Sequence, residues 1–138
     1  MEKYNLYNYQ VEIDKNATKK WYEESDGWRC ECVNCRNFLK LAKTKKLPLH
    51  IMQILNELDI PPEKATYVCE LYTDDRGIHY QFSYRIAGTI VDAPSIEYVE
   101  EGHCCHETYP YGAPNFPEPH FDLEFFKILP WVLDEDES

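Results

Sequence analysis

The chain has 138 residues, of which 43% are hydrophobic and 14% aromatic, and a formal net charge of −11. A chain of this length makes one domain and buries about two thirds of the surface its unfolded form exposes, and its aromatic content excludes disorder. The negative charge repels nucleic acid and anionic lipid, and no apolar run reaches the ~20 residues that span a bilayer. Residues 1–7 lack the apolar region of a secretory signal, so the expected location is the cytoplasm. In that reducing compartment six cysteines point to metal ligation or reactive thiols before disulfides.

Taken in order, residues 7–14 alternate Tyr7, Tyr9, Val11 and Ile13 with polar partners, which predicts a half-buried strand. A polar stretch follows, with a short helix over 17–24 and a turn at Asp26-Gly27. Trp28 then leads into Cys30, Cys32 and Cys35. Cys35, Phe38, Leu39 and Ala42 recur at helical spacing, so a helix runs over about 34–43. That helix and its continuation carry Arg36, Lys40, Lys43, Lys45 and Lys46, and no acidic residue lies between Glu31 and Glu57. The basic stretch 36–46 reads first as a solvated face, and more sharply as a docking surface for an anionic protein partner.

Pro48 marks a second helix start, with Leu47, Ile51, Leu55 and Leu58 as its stripe and Ile60-Pro61-Pro62 as its end. His50 within it reads as a surface or satisfied core histidine. Residues 67–72 form a strand, with Cys69 placed in the core beside Tyr67 and Leu71. Asp74-Asp75-Arg76-Gly77 is a hairpin turn. Ile78, Tyr80, Phe82, Tyr84 and Ile86 define the clearest strand, with His79 on its exposed side and a continuation to Val91 past a bulge at Gly88. A short strand over 96–99, an irregular proline-rich connector over 109–119 and a last strand at Phe121, Leu123 and Phe125 follow. The expected fold is α+β: an antiparallel sheet of four or five strands with an αα-hairpin packed on one face, as a single domain over 1–133 with an acidic tail over 134–138.

The chemistry gathers at Cys-x-Cys-x-x-Cys. Cysteines at i and i+3 at a helix start face one point, a third can fold back onto it, and thiolates in such an array are zinc ligands. The free N–H groups and dipole of the helix start favour thiolate over thiol. The expected metal ligands are Cys30, Cys32 and Cys35, with Cys104 as the fourth and Cys105 as runner-up. Neighbours in an extended chain point to opposite faces, so His103 and Cys105 share one face and Cys104 and His106 the other. Carrying the phase of Ile96 and Tyr98 forward puts Cys104 and His106 inward, and a bulge near Glu101-Gly102 reverses it. Trp28 is either a shield for the metal or ordinary core. The competing class is a thiol redox enzyme or sensor, with Cys32 or Cys35 as a low-pKa thiolate. Iron–sulfur spacings do not match. There is no Gly-rich phosphate loop, serine nucleophile elbow or His-Glu-x-x-His helix, which leans against an enzyme.

The stretch 28–38, Trp-Arg-Cys-Glu-Cys-Val-Asn-Cys-Arg-Asn-Phe, together with Leu129-Pro130-Trp131-Val132-Leu133, resembles a group of small, acidic bacterial proteins. Those share a Trp-x-Cys-x-Cys-x-x-Cys-x-Asn-Phe pattern and a Pro-Trp ending. The resemblance covers two short segments and brings no activity or site with it. It implies that the cysteine spacing is a pattern rather than chance.

Overall fold

The computed structural model describes residues 1–28, 30–94, 102–106 and 113–134. Among them lie strands β1 (Glu2–Leu6), β2 (Tyr9–Ile13), β3 (Tyr67–Asp74), β4 (Gly77–Asp92), β5 (Gly102–His106) and β6 (His120–Leu129). Helices α1 (Lys15–Glu24), α2 (Val33–Lys43) and α3 (Leu49–Glu57) complete the fold, with a 3-10 turn at Pro62–Lys64. Helix and sheet are thus mixed, and every strand pairing is antiparallel. The sheet runs β1-β2-β4-β6-β5, and β3 also pairs with β4. No helix among the described residues is long and apolar enough to cross a membrane.

Among the described residues the sheet has six strands, where four or five were expected. One strand outside the expected set is β1, which precedes the 7–14 segment, and that segment is itself not a continuous strand. Tyr7 and Asn8 take φ of 50° and 72° and form a two-residue hairpin turn joining β1 to β2. Such turns need positive φ at both central residues, which asparagine tolerates and tyrosine seldom adopts. β1 escapes a pattern search because it is an edge strand: Glu2, Lys3 and Asn5 are all exposed. The helical layer also exceeds a pair, since α1 is a full helix. Asp14 caps it, accepting the Ala17 N–H at 3.0 Å. The expected strand over 96–99 and part of the connector over 109–119 fall outside the described residues.

β4 is the spine. Its residues 78–87 pair with β6, 77–83 with β3 and 88–92 with β2. The change of partner passes through Gly88, at φ 151°, where a Cβ would lie 2.0 Å from the Glu12 carbonyl oxygen. Only glycine allows β2 to approach so closely. One face of β4 presents Ile78, Tyr80, Phe82, Tyr84 and Ile86, all buried, with Phe121, Leu123 and Phe125 of β6 on the same side. The helices cover this face. Phe38 of α2 packs on Tyr80 and Phe82 at ring distances of 5.8 and 4.8 Å, and the Tyr22 hydroxyl of α1 donates to the Arg85 carbonyl.

The opposite face is polar yet largely buried. His79 is only 3% exposed, against the expectation of an exposed residue. Its ring stacks on Tyr72 at 4.0 Å, and its Nε2 lies 2.9 Å from Asp74 Oδ2, so side chains of its own hairpin cover it. Arg85 pairs with Asp122 through both guanidinium and carboxylate. Cys69 also departs from its expected core position. It stands opposite Gln81, partly exposed, while Val68 opposite Phe82 takes the core place. A register shift between Glu70 and Tyr72 then turns Leu71 out to 45% exposure.

α2 is held by a buried polar knot. The Asn37 side-chain amide donates to the Tyr80 hydroxyl at 3.2 Å and to the Pro130 carbonyl at 3.1 Å, and its oxygen accepts the Val132 N–H at 2.7 Å. Tyr80 in turn donates to the Asn34 carbonyl at 2.6 Å. The asparagine behind the cysteines and the Pro-Trp-Val segment near the other end of the chain are therefore one contact. Asn37→Ala orphans the Val132 N–H, and each unsatisfied buried group costs about 1–3 kcal/mol. The expected result is a fall in urea midpoint equivalent to about 2–4 kcal/mol, with α2 amides losing protection before those of β4. A change under about 0.5 kcal/mol would show that the knot contributes little.

Candidate metal centre

Cys32 is the N-cap of α2. Its backbone is still extended, with φ −63° and ψ 158°, and its Sγ accepts the Cys35 N–H at 3.4 Å. A thiol thus occupies the place usually filled by a serine or aspartate oxygen. The three-residue spacing sets Cys35 one turn further on the same side of the helix. Cys30 lies two residues ahead of the cap, outside the helix. The sulfurs of Cys30, Cys32 and Cys35 all lie within 4.8 Å of one another, close enough to hold one metal ion. All six cysteines are among the described residues and are free thiols.

The three thiols differ in environment. Cys30 and Cys32 are exposed, whereas Cys35 is buried. Partial burial opposes ionisation of Cys32, but hydrogen bonds from the Cys35 N–H, the Cys30 and Cys35 thiols and the Asn34 N–H outweigh it, and its pKa falls. Burial drives the Cys35 pKa well up, the Trp28 indole pulls it back in part, and the neighbouring thiols raise it further. The Trp28 indole N–H donates to Cys35 Sγ at 3.3 Å, and its ring packs edge-on to Tyr67 at 5.8 Å. Trp28 is thus both a neighbour of the sulfur and part of the core rim. Arg36 donates to the Glu31 carbonyl at 3.0 Å, closing the loop over the helix start. An open cleft of about 600 Å³ lined by Trp28, Cys30, Glu31, Arg36 and Leu39 reaches the cluster at Cys30.

Cys104 is placed elsewhere. In β5 it stands directly opposite Glu124 of β6, and it groups with His106 and Glu124, not with the three cysteines at α2. Of the two phases left open for this stretch, the one that turns Cys104 and His106 inward is not the one found. Cys105, opposite Leu123, is the inward residue at 4% exposure. The register with β6 decides this, because Leu123 lies on the helix-covered side and its cross-strand partner must share that face. Burial and the nearby Cys104 push the Cys105 thiol up to about 12, which leaves it a protonated core residue. Burial and the Glu124 carboxylate raise Cys104 to about 11. His103 stacks on Tyr7 at 3.6 Å, and the Tyr7 hydroxyl meets His50 Nδ1 at 2.8 Å. His50 is accordingly a satisfied structural histidine.

Glu124 carries no signal in the sequence. It has the pattern of an outward residue of an alternating strand, and only the pairing of β5 with β6 brings it to Cys104 and His106. The hydrogen bond from Trp28 to Cys35 joins residues seven apart in the chain, within the motif. Comparison with known proteins finds no family model, curated protein or solved structure that matches this chain.

Proposed function

We propose that the chain is a cytoplasmic zinc-binding interaction protein, with Cys30, Cys32 and Cys35 as ligands. The observation that carries this reading is the convergence of three sulfurs within 4.8 Å at the start of α2. Soft thiolates select zinc among the common cellular divalent ions. A set of three cysteines leaves one position of the tetrahedron for a water or for a donor brought by a partner. The helix start assists, since its N–H groups and dipole offset the charge of thiolates gathered there. The ion would tie the segment ahead of α2 to the sheet. The exposed cations Lys43, Lys45 and Lys46, continuing from Arg36 and Lys40, then form the face offered to an acidic partner.

One observation favours a second reading, a thiol redox protein. Cys32 is exposed with a lowered pKa, while Cys35 is buried with a raised one. That asymmetry suits an attacking and a resolving thiol. Cys32 thiolate would attack a partner disulfide, and Cys35 would displace the partner's second thiolate, leaving a Cys32–Cys35 disulfide and a reduced partner.

Elemental analysis of protein purified under reducing conditions without added metal separates the two. Near-stoichiometric zinc at this cluster is expected, so that Cys32→Ser or Cys35→Ser lowers the zinc content by about one equivalent. A fall of less than about 0.2 equivalents on those changes, with rapid alkylation of Cys32 in the parent at neutral pH, would replace the zinc reading with the redox one.

Removal of zinc should loosen the chain locally. Structural zinc in small fingers carries an apparent ~10–16 kcal/mol and those peptides unfold without it, whereas α2 here is also held by Asn37 and Phe38. Hydrogen exchange after chelation is therefore expected to rise over 25–36 while 78–86 stays protected. Loss of protection throughout β4 would mean that the metal, not the core, carries the fold.

A further inference from the structure

We infer that Cys104, His106 and Glu124 form a second, independent site for a divalent transition metal, on the sheet face turned away from the helices. Cys104 and His106 are two residues apart on β5 and therefore share a face, and the register sets Glu124 opposite Cys104. Their ligand atoms lie within 4.8 Å of one another. Zinc distances of about 2.0 Å to nitrogen or oxygen and about 2.3 Å to sulfur put tetrahedral ligands roughly 3.3 Å apart for N···O and roughly 3.5 Å for S···O. His106 Nε2 is 2.9 Å, and Cys104 Sγ 3.8 Å, from Glu124 Oε2. Shifts of about half an ångström would bring each of these two pairs to metal-ligand spacing, a small rotamer adjustment for side chains of this length, and Cys104 and His106 already lie within 4.8 Å of one another.

The carboxylate is already oriented. Gln81 and Ser83 of β4 both donate to its Oε1, leaving Oε2 turned to Cys104 and His106. Metal-ligating carboxylates are characteristically held in this way by outer partners. All three ligands sit on strands of one sheet, which fixes their geometry better than a loop would. Glu124 is buried, whereas Cys104 and His106 are half-buried, so the open side of the trio lies toward them. One sulfur, one nitrogen and one oxygen donor suit zinc or cobalt(II), not the all-oxygen preference of magnesium or calcium. Three protein ligands are the number at which zinc keeps a position for water or an exogenous group. The arrangement differs in kind from the all-sulfur cluster at α2 and does not depend on that cluster holding metal.

Cobalt(II) titration of the full chain carrying Cys30→Ser, Cys32→Ser and Cys35→Ser tests the site. About one equivalent is expected, with tetrahedral ligand-field bands and thiolate-to-cobalt absorption of single-sulfur strength. Adding Cys104→Ser should abolish that absorption, and adding His106→Ala should weaken binding at least about tenfold. Circular dichroism confirms folding, and should the triple-serine chain not fold, the parent is titrated instead. The parent is expected to take two equivalents, and Cys104→Ser to remove one while sparing the multi-sulfur spectrum of the other. Uptake below about 0.2 equivalents in the folded triple variant, or uptake indifferent to both Cys104→Ser and His106→Ala, would overturn the inference. So would loss of the multi-sulfur spectrum on Cys104→Ser, since Cys104 would then serve the cluster at α2.

Discussion

The seating of α2 on β4 depends on the knot between Asn37, Tyr80 and the Pro130–Val132 backbone. An amide with no exposed surface is tolerable only when its hydrogen bonds are made, so the helix has one position in which Asn37 is satisfied. Phe38, the next residue, then meets Tyr80 and Phe82. Cys35 and Cys32 lie within two turns of the same helix, so their position is inherited from that contact. The same knot fastens the chain after β6, where Lys40 also donates to the Val132 carbonyl. Residues some ninety positions apart in the chain hold one another, and the cysteine segment is placed by them.

The far face of the sheet obeys a different rule. Arg85 and Asp122, 5% and 1% exposed, form a buried ion pair across β4 and β6, and Glu124 beside them is met by Gln81 and Ser83. Such groups contribute little net stability compared with apolar packing. They contribute register. A slip of one residue between β4 and β6 would drive Asp122 and Glu124 under the helices and expose Phe121, Leu123 and Phe125. The polar face thereby guards the pairing on which the core depends, and it builds a constellation of donor groups there as a consequence.

At α2 the three thiols share one helix start but not one environment. The N–H groups reach Cys32, and the Trp28 indole and the core reach Cys35. One set of positions therefore contains an ionisable sulfur and a protected one. A metal would be attracted by their convergence, and thiol exchange by their asymmetry, which is why the same geometry supports both readings and metal content separates them.

Local periodicity determined most of the elements. The alternation of Ile78 to Ile86, the helical spacing of Cys35, Phe38 and Ala42, and the turn at Asp75-Arg76 all depend on residues within a few positions, and each is found in place. The convergence of Cys30, Cys32 and Cys35 was legible for the same reason, being a property of one helix start. What the sequence could not determine was everything set by partners distant along the chain. The phase of β5 came from Leu123, the exposure of Cys69 from its pairing with Gln81, and the burial of His79 from Tyr72 and Asp74 closing over it. Alternation states which residues share a face, but only the neighbouring strand states which face is covered. For that reason Cys104, whose motif suggested a fourth thiolate for the helix, stands instead across from Glu124, and only the tertiary structure could place it there.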